Sequence, residues 1–252
     1  MASLDVRDES RYTPLHYAAQ KGHSVAVQVL VDAKASLDVQ NSSGYTSLHY
    51  AAKHGHSGSV QVLVDAKASV DVQNNDGYTP LHLATSNGHS VAVQVLVDAK
   101  ASLDVQNNDG YTPLHLATSN GHSVAMQVLV DAKASLDVQN SSGYTPLHYA
   151  AQKGDRVAVQ VLVDAKARLD VQNRDGYTPM HIAARNGRSG FVQFLVHAKA
   201  SVDVQDRNGY TPLHWAATEG DVVTVHVLAG FGSDVSMGEK YRYVDPLTRS
   251  LL

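Results

Sequence analysis

One short phrase, Thr-Pro-Leu-His, recurs seven times along the chain at a constant spacing of 33 residues, with Ser47 in place of the proline in the second copy and Met180 in place of the leucine in the sixth. The copies begin at Thr13, Thr46, Thr79, Thr112, Thr145, Thr178 and Thr211. Such a period is typical of a solenoid, in which each unit is too small to bury its own apolar face and packs on its neighbours. The sequence therefore predicts one elongated array, and an array favours an extended recognition surface over an enclosed catalytic pocket.

The residues of a single repeat predict its local structure, as residues 74–106 illustrate. Asn-Asp-Gly at 75–77 has the chemistry of a tight turn. Thr79 is a suitable N-cap and Pro80 a suitable first residue of a helix that ends at Gly88. The apolar residues that follow have the spacing of a second, partly buried helix. Each repeat is therefore predicted to be a hairpin followed by two antiparallel helices.

The segment Asp-Gly-Tyr-Thr-Pro-Leu-His-Leu-Ala at 76–84, followed by Asn-Gly-His at 87–89, resembles the ankyrin repeat. The resemblance covers roughly residues 5–236. It implies an elongated, curved solenoid dominated by α-helices, with a β-hairpin and two antiparallel helices in each repeat. In that family the hairpin fingers and first helices form a concave groove that binds other proteins, and the repeats themselves have no enzymatic activity.

The resemblance also suggests a domain organisation. We expect residues 1–236 to form a domain of seven repeats and residues 237–252 to form a C-terminal tail. Asp245-Pro246-Leu247 in the tail echoes the repeated phrase, which is compatible with a degenerate capping half-repeat. A disordered tail and a short motif for a second partner are the alternatives.

Two kinds of departure from the family pattern bear on the backbone. Family members have Gly-Ala at the end of the second helix, whereas here lysine replaces that glycine in six repeats. The lysines are Lys34, Lys67, Lys100, Lys133, Lys166 and Lys199. Arg11 replaces the hairpin glycine of the first repeat. If these residues keep the left-handed conformation of the family glycine, each is a modest stability defect.

Composition excludes several classes of function. The net charge of −4 gives no general argument for binding nucleic acid or a membrane surface, and the absence of cysteine excludes disulfides and thiolate metal sites. No apolar stretch approaches the ~20 residues that span a bilayer, and the N-terminus lacks the pattern of a signal peptide. We expect a monomeric cytoplasmic protein, with a nuclear location as the alternative.

Fourteen histidines raise the question of a catalytic triad or a metal site. Seven of them occupy the fourth position of the repeated phrase, where the family pattern implies that the imidazole bonds backbone near the hairpins. His49, His54 and His56 form the one local cluster and are the candidate metal ligands, but we favour a structural role for them. Because no motif of an enzyme or cofactor site accompanies them, we expect no enzyme, cofactor or metal.

A tyrosine precedes the threonine of every phrase, which allows two interpretations. Tyrosine supplies large contact area to a partner at small entropic cost, so the seven residues could form an aromatic stripe along the groove. Alternatively, each tyrosine forms a hydrophobic staple with the apolar or aromatic residue five positions later. The tyrosines are Tyr12, Tyr45, Tyr78, Tyr111, Tyr144, Tyr177 and Tyr210.

Arginine is concentrated in the last three repeats, which points to the binding site. Arg174 and Arg207 fall at fingertips and Arg185 at the end of a first helix, all groove positions in the family, although solvated surface arginines are the plain alternative. We predict binding of an acidic protein partner by a set of groove residues in repeats five to seven. They are Arg174, Asp175, Tyr177, Arg185, Asn186, Arg207, Asn208, Tyr210, Trp215, Thr218 and Glu219.

The function that we favour is a non-catalytic scaffold for protein–protein interaction. A structural spacer is the first alternative, because repeats 73–105 and 106–138 differ only at Val93 and Met126. A targeting segment of a larger protein is the second. Nucleic-acid binding rests on the arginines alone and is the weakest.

Overall fold

The computed structural model describes residues 3–230, which contain fourteen α-helices, two in each of seven repeats. The first helices of the repeats are α1 (Pro14–Gln20), α3 (Ser47–Lys53), α5 (Pro80–Ser86), α7 (Pro113–Asn120), α9 (Pro146–Lys153), α11 (Pro179–Arg185) and α13 (Pro212–Thr218). The second helices are α2 (Ser24–Asp32), α4 (Ser57–Asp65), α6 (Ser90–Asp98), α8 (Ser123–Asp131), α10 (Arg156–Asp164), α12 (Ser189–His197) and α14 (Val222–Gly230). The predicted pair of helices in each repeat is confirmed.

The helices form two stacked layers with the core between them. Each first helix packs on the first helix of the next repeat, from α1 on α3 to α11 on α13, and the second helices stack in the same way from α2 to α10 and from α12 to α14. The leucine of the repeated phrase lies in the core, and Leu15, Leu81 and Leu114 are fully buried. Burial of one such side chain contributes about 1.5–3 kcal/mol. No repeat could bury this leucine alone, so the predicted solenoid is confirmed.

The repeated phrase begins each first helix through a capping box. In repeat three, the Thr79 hydroxyl accepts from the His82 amide, and the Thr79 amide donates to His82 Nδ1. Pro80 occupies the first helical position, where a missing N–H leaves nothing unpaired. The phrase is therefore a helix start signal, as predicted.

The fingers are tight turns, and a backbone hydrogen bond joins each finger to the next. In repeat three, the Asn74 amide donates to the Tyr78 carbonyl and the Gly77 amide to the Asn74 carbonyl, both at 2.9 Å. The next finger joins through the Asn108 amide, which donates to the Asp76 carbonyl at 3.1 Å. Between residues 3 and 230 the hairpins contain no β-strand, because each contributes one such bond rather than a ladder.

The six lysines at the ends of the second helices adopt the left-handed conformation, as predicted. Their φ angles lie between 65° and 73°, and Arg11 has a φ of 64°. The Lys34 amide donates to the Val31 carbonyl and the Ala35 amide to the Leu30 carbonyl, which is the Schellman pattern of helix termination. Lysine thus occupies a backbone position at which glycine is less strained.

Lys100→Gly is expected to leave the melting temperature unchanged or to raise it. Removing the lysine from the left-handed conformation lowers the strain of the folded state by about 1 kcal/mol. Loss of a cation at a helix C-terminus lowers the stability by ~0.3–1 kcal/mol, which offsets part of that gain. Lys100→Ala is the matched control, because it keeps the strained conformation and loses the charge, and it should lower the melting temperature. Thermal unfolding by circular dichroism measures both, and destabilisation by Lys100→Gly as large as that by Lys100→Ala would contradict the strain argument.

The predicted C-terminal tail lies outside the described residues, and so does the capping role assigned to Asp245, Pro246 and Leu247. The domain limits 1–236 and 237–252 therefore stay predictions. None of the helices between residues 3 and 230 is long and apolar enough to cross a membrane.

Candidate binding surface

The phrase histidine of each of repeats one to six links its repeat to the next. The His115 ring lies in the core, and its Nδ1 accepts from the Thr112 amide at 3.1 Å. That contact leaves Nε2 to carry the proton, and Nε2 donates to the Tyr144 carbonyl of the following finger at 2.9 Å. The same bond connects the other phrase histidines to the next finger, from His16 to Tyr45 through His181 to Tyr210. These rings fix the fingers against the first helices, as the family pattern implies.

Burial sets the charge of these rings. Desolvation lowers the pKa of His49, His82, His115 and His148 to about 4, partly opposed by the hydrogen bond to the next finger. The pKa values of His16 and His181 are lowered for the same reason. The imidazoles are therefore neutral structural donors near pH 7.

The local cluster of His49, His54 and His56 is divided between separate roles. His49 is buried, with Nδ1 at Thr46 and Nε2 at the Tyr78 carbonyl. His56 Nε2 lies 3.1 Å from the Gln20 carbonyl oxygen, and its ring stacks on that of His54 at 5.9 Å. Within the described part of the chain, no three His, Asp or Glu side chains form a group that could hold a metal ion.

The tyrosines before the phrases form staples wherever the partner is aromatic. The Tyr45 and Tyr50 rings lie 5.1 Å apart, and the Tyr144 and Tyr149 rings 5.4 Å apart. Tyr210 is 46% exposed and packs on Trp215 at 5.7 Å. The staple is confirmed for these pairs. Contact between the stripe and a partner stays a prediction.

In repeats two to six, a buried asparagine at the base of the finger faces the staple residue. Asn41 Nδ2 donates to the Tyr50 hydroxyl, and Asn140 Nδ2 to the Tyr149 hydroxyl, both at 2.9 Å. In the repeats where leucine or isoleucine replaces that tyrosine, the asparagine Nδ2 atom is buried without a hydrogen-bond partner. These atoms belong to Asn74, Asn107 and Asn173. Each of these amides lies near the hydroxyl of the tyrosine in the preceding repeat, Tyr45, Tyr78 or Tyr144, so a weak hydrogen bond offsets part of the cost of burying it.

Leu83→Tyr is expected to stabilise the protein by about 1 kcal/mol, since the new hydroxyl would accept from Asn74 Nδ2 as Tyr50 does from Asn41. Leu83→Phe is the matched control, because it adds the ring without the hydroxyl. The free energy of unfolding in urea measures the difference. Equal stability of the tyrosine and phenylalanine variants would show that the Asn74 amide gains nothing from the hydroxyl.

The last repeat replaces this asparagine with an acid. Asp206 is 6% exposed, and its Oδ2 accepts from the Trp215 indole Nε1 at 3.0 Å. Its Oδ1 accepts from the amides of Asn208 and Tyr210. Burial opposes ionisation, but these hydrogen bonds outweigh it and lower the pKa of Asp206. The carboxylate therefore holds both the last finger and the Trp215 ring.

Arg185 lies over two aromatic rings between repeats six and seven. Its guanidinium carbon is 5.1 Å from the Trp215 ring centre and 5.8 Å from that of Tyr177. The two rings meet edge to face at 5.6 Å. Each cation–π contact contributes about 0.5–1 kcal/mol at an exposed site. The rings hold a charged group in place on the surface formed by the fingers and first helices.

The fingertip arginines lie on a firmly bonded backbone. The Arg174 amide donates to the Ser142 carbonyl and the Arg207 amide to the Asp175 carbonyl, each at 3.1 Å. Both side chains are exposed, as is that of Asp175. The repeat-to-repeat bonds therefore fix the backbone positions of Arg174 and Arg207, while their side chains face solvent.

The remaining predicted residues have mixed roles. Asn186 Nδ2 donates to the Ile182 carbonyl at 2.7 Å, and the Thr218 hydroxyl to the His214 carbonyl at 2.9 Å, so both side chains bond their own helix. Asn208 and Glu219 are exposed at a fingertip and at the end of α13. The structure thus brings Tyr177, Arg185, Tyr210 and Trp215 together. The remaining four residues are Asn186, Asn208, Thr218 and Glu219, and they lie around that group.

The sequence pattern did not lead to a prediction of Asp206 as a site residue. The available signal was its change from the asparagine of repeats two to six together with the change to Trp215, the single tryptophan of the chain. An indole N–H can only donate, so its partner must accept, and a carboxylate does so.

Comparison with known proteins identifies the repeat. A family model described as ankyrin repeats (3 copies) matches in five overlapping segments, residues 1–74, 58–140, 81–173, 124–206 and 147–239. No curated protein matches the chain. Among solved structures, the ankyrin repeat domain of Bcl-3, described as a unique member of the IκB protein family, is similar with a TM-score of 0.80 and 29% identity. The match covers 88% of this chain and 100% of that domain. Ankyrin repeats generally mediate protein–protein interaction. The chain belongs to the ankyrin repeat family.

Proposed function

We propose that this protein is a non-catalytic scaffold whose concave surface in repeats five to seven binds an acidic segment of another protein. The observation that carries the proposal is the Arg185 guanidinium held over Tyr177 and Trp215. Because the rings already restrict this side chain, a partner carboxylate would bind it at a reduced entropic cost. Arginine and aromatic residues are also the types most enriched among residues that dominate binding energy.

The chain provides an internal comparison for this surface. Three repeats earlier, the positions equivalent to Arg174, Arg185 and Arg207 are Asn75, Ser86 and Asn108, all uncharged. The backbone turns are the same in both places, since the Arg207 and Asn108 amides each donate to the preceding finger at 3.1 Å. The two regions therefore share the same backbone turns but differ in side-chain chemistry at these positions. The three arginines occur in only one of them.

Affinity capture from a lysate with three forms of the protein tests the proposal. The forms are wild type, a triple Arg174→Glu, Arg185→Glu, Arg207→Glu variant, and a matched triple Asn75→Glu, Ser86→Glu, Asn108→Glu variant. Proteins captured by wild type should be lost from the arginine variant and retained by the matched variant. For a purified partner, the arginine changes should cost at least ~2 kcal/mol, about 30-fold in Kd. Loss on the matched variant alone would place the site in repeats three and four.

A spacer function for the middle of the array is the second candidate. It is supported by the near-identity of residues 73–105 and 106–138, which repeats one surface without adding a new one. If the wild-type protein captures nothing above the background of an empty matrix, the spacer interpretation is favoured over the binding surface.

A further inference from the structure

We propose that the layer of second helices in repeats five to seven carries a second docking groove, which accepts an acidic peptide segment through one apolar side chain. The groove lies between α10, α12 and α14 and has a volume of about 630 Å³. Phe194 and Val223 contribute apolar surface to it, and Val223 is 53% exposed, whereas the lining residue Val159 is fully buried. This surface belongs to the opposite helix layer from the cluster of Arg185 and Trp215.

Changes particular to repeat six widen the groove and make it more aromatic. Gly190 occupies a position that is valine in five of the other six repeats, and a Cβ placed there would meet no atom of residues 3–230 within 4 Å. Phe194 occupies a position that is valine in all six others. The loss of one side chain and the enlargement of another thus leave open space beside an aromatic ring.

The charge of the groove changes in the same repeat. His197 replaces an aspartate that ends the second helix in each of repeats one to five. Arg188 replaces the histidine of repeats one to four, and Arg156 contributes a second guanidinium from α10. No Asp or Glu is present among the described residues that line the groove. The groove is therefore basic at several points around apolar surface.

The nearest acids in the sequence are engaged in capping. The Asp155 carboxylate accepts from the amides of Val157 and Ala158 at 3.0 Å. The Asp221 carboxylate accepts from the amide and the hydroxyl of Thr224. The capping bonds hold these two carboxylates at the starts of α10 and α14.

Arg188 lies where earlier repeats have a different contact. The rings of His56, His89 and His122 each lie against the glycine of the preceding repeat and approach the carbonyl of Gln20, Lys53 or Ser86 at 3.1 Å. At the equivalent place the Arg188 side chain lies against Gly154, where an added Cβ would be 2.9 Å from Arg188 Cδ. Packing of the aliphatic stem on Gly154 restricts the arginine at the edge of the groove. A partly restricted cation beside exposed apolar surface matches a carboxylate next to an apolar side chain.

A matched variant returns the groove to the chemistry of the neighbouring repeat. Gly190→Val, Phe194→Val and His197→Asp give repeat six the residues that repeat five has at Val157, Val161 and Asp164. Because each replacement already occupies this position in a folded repeat of the same chain, the triple variant should fold, and circular dichroism with a thermal melt checks that it does. The Arg174, Arg185 and Arg207 glutamate variant serves as a second control, because its changes lie on the concave surface.

Selection of peptides from a random phage-displayed library against the full chain tests the proposal. We expect enriched peptides to contain Asp or Glu beside a Phe, Leu or Ile, to bind the groove variant at least 10-fold more weakly, and to bind the concave-surface variant as well as wild type. Enriched peptides that lack acidic residues, or that bind the groove variant unchanged, would overturn the proposal. Failure to enrich any peptide would overturn it as well.

Two other occupants give different results. If a second copy of the chain fills the groove, wild type forms a dimer in sedimentation and the groove variant does not. If residues 231–252 of the chain fill it, peptides bind only after those residues are removed. Either result would overturn the proposal of an external acidic peptide, and neither bears on the concave surface.

Discussion

Lowering the pH from 7 to 5 is expected to reduce the free energy of unfolding by several kcal/mol. His49, His82, His115 and His148 have a pKa of about 4 in the folded chain because of burial, against about 6.5 when unfolded. Below pH 6.5 the unfolded chain therefore binds more protons, and each histidine loses about 1–2 kcal/mol of its contribution by pH 5. The loss is complete only as the pH falls through the folded pKa. Urea unfolding at the two pH values measures it.

His115→Gln is the matched variant for this pH effect. Glutamine at the third helical position can keep the capping box, but it does not titrate. The variant should lose about a quarter of the difference between pH 7 and pH 5, in proportion to one of the four rings. His23→Gln changes an exposed histidine at the start of α2 and serves as the control for the substitution itself. An equal pH effect in all three proteins would show that other groups cause it.

His115→Ala is expected to destabilise the protein by about 3–5 kcal/mol. The substitution empties a fully buried site and removes the bond to the Tyr144 carbonyl. It also leaves the Thr112 amide without its acceptor. The costs of two unpaired backbone groups and of a cavity therefore add at this one site.

His214→Ala provides the comparison, because His214 is exposed and bonds Thr211 within its own repeat. Loss of this cap should cost about 1 kcal/mol. Unfolding in urea at pH 7 compares the two variants. Similar losses would contradict the conclusion that the bond to the next finger, rather than the capping box, gives the histidine its main structural value.

The fold was predictable because its signals are local. Thr79, Pro80 and Gly88 begin and end one helix through their own backbone chemistry, and the 33-residue period repeats that information seven times. The left-handed lysines were predictable from their position in the family pattern. The finger turns were also predictable, although the single bonds that join them in series depend on how neighbouring repeats are stacked.

The positions of the candidate site residues could be predicted from the sequence, whereas most contacts of their side chains could not. The fingertip places of Arg174 and Arg207 follow from register alone. The stacking of Arg185 on Trp215 joins residues 30 positions apart, and it depends on the distance between first helices in the stack. The bond from Trp215 to Asp206 required two substitutions to be considered together. Side-chain pairs between repeats therefore lie beyond what a single repeat pattern specifies.

Site-specific photo-crosslinking tests most directly the claim that the concave surface of the last repeats is the recognition site. A photoreactive amino acid replaces Asp175 or Asn208 at the two exposed fingertips, or Asp76 or Asp109 at the equivalent fingertips three repeats earlier. The account predicts that the partner recovered by affinity capture crosslinks to positions 175 and 208 and not to positions 76 and 109. Crosslinks that form at positions 76 and 109, with none at 175 and 208, would contradict it.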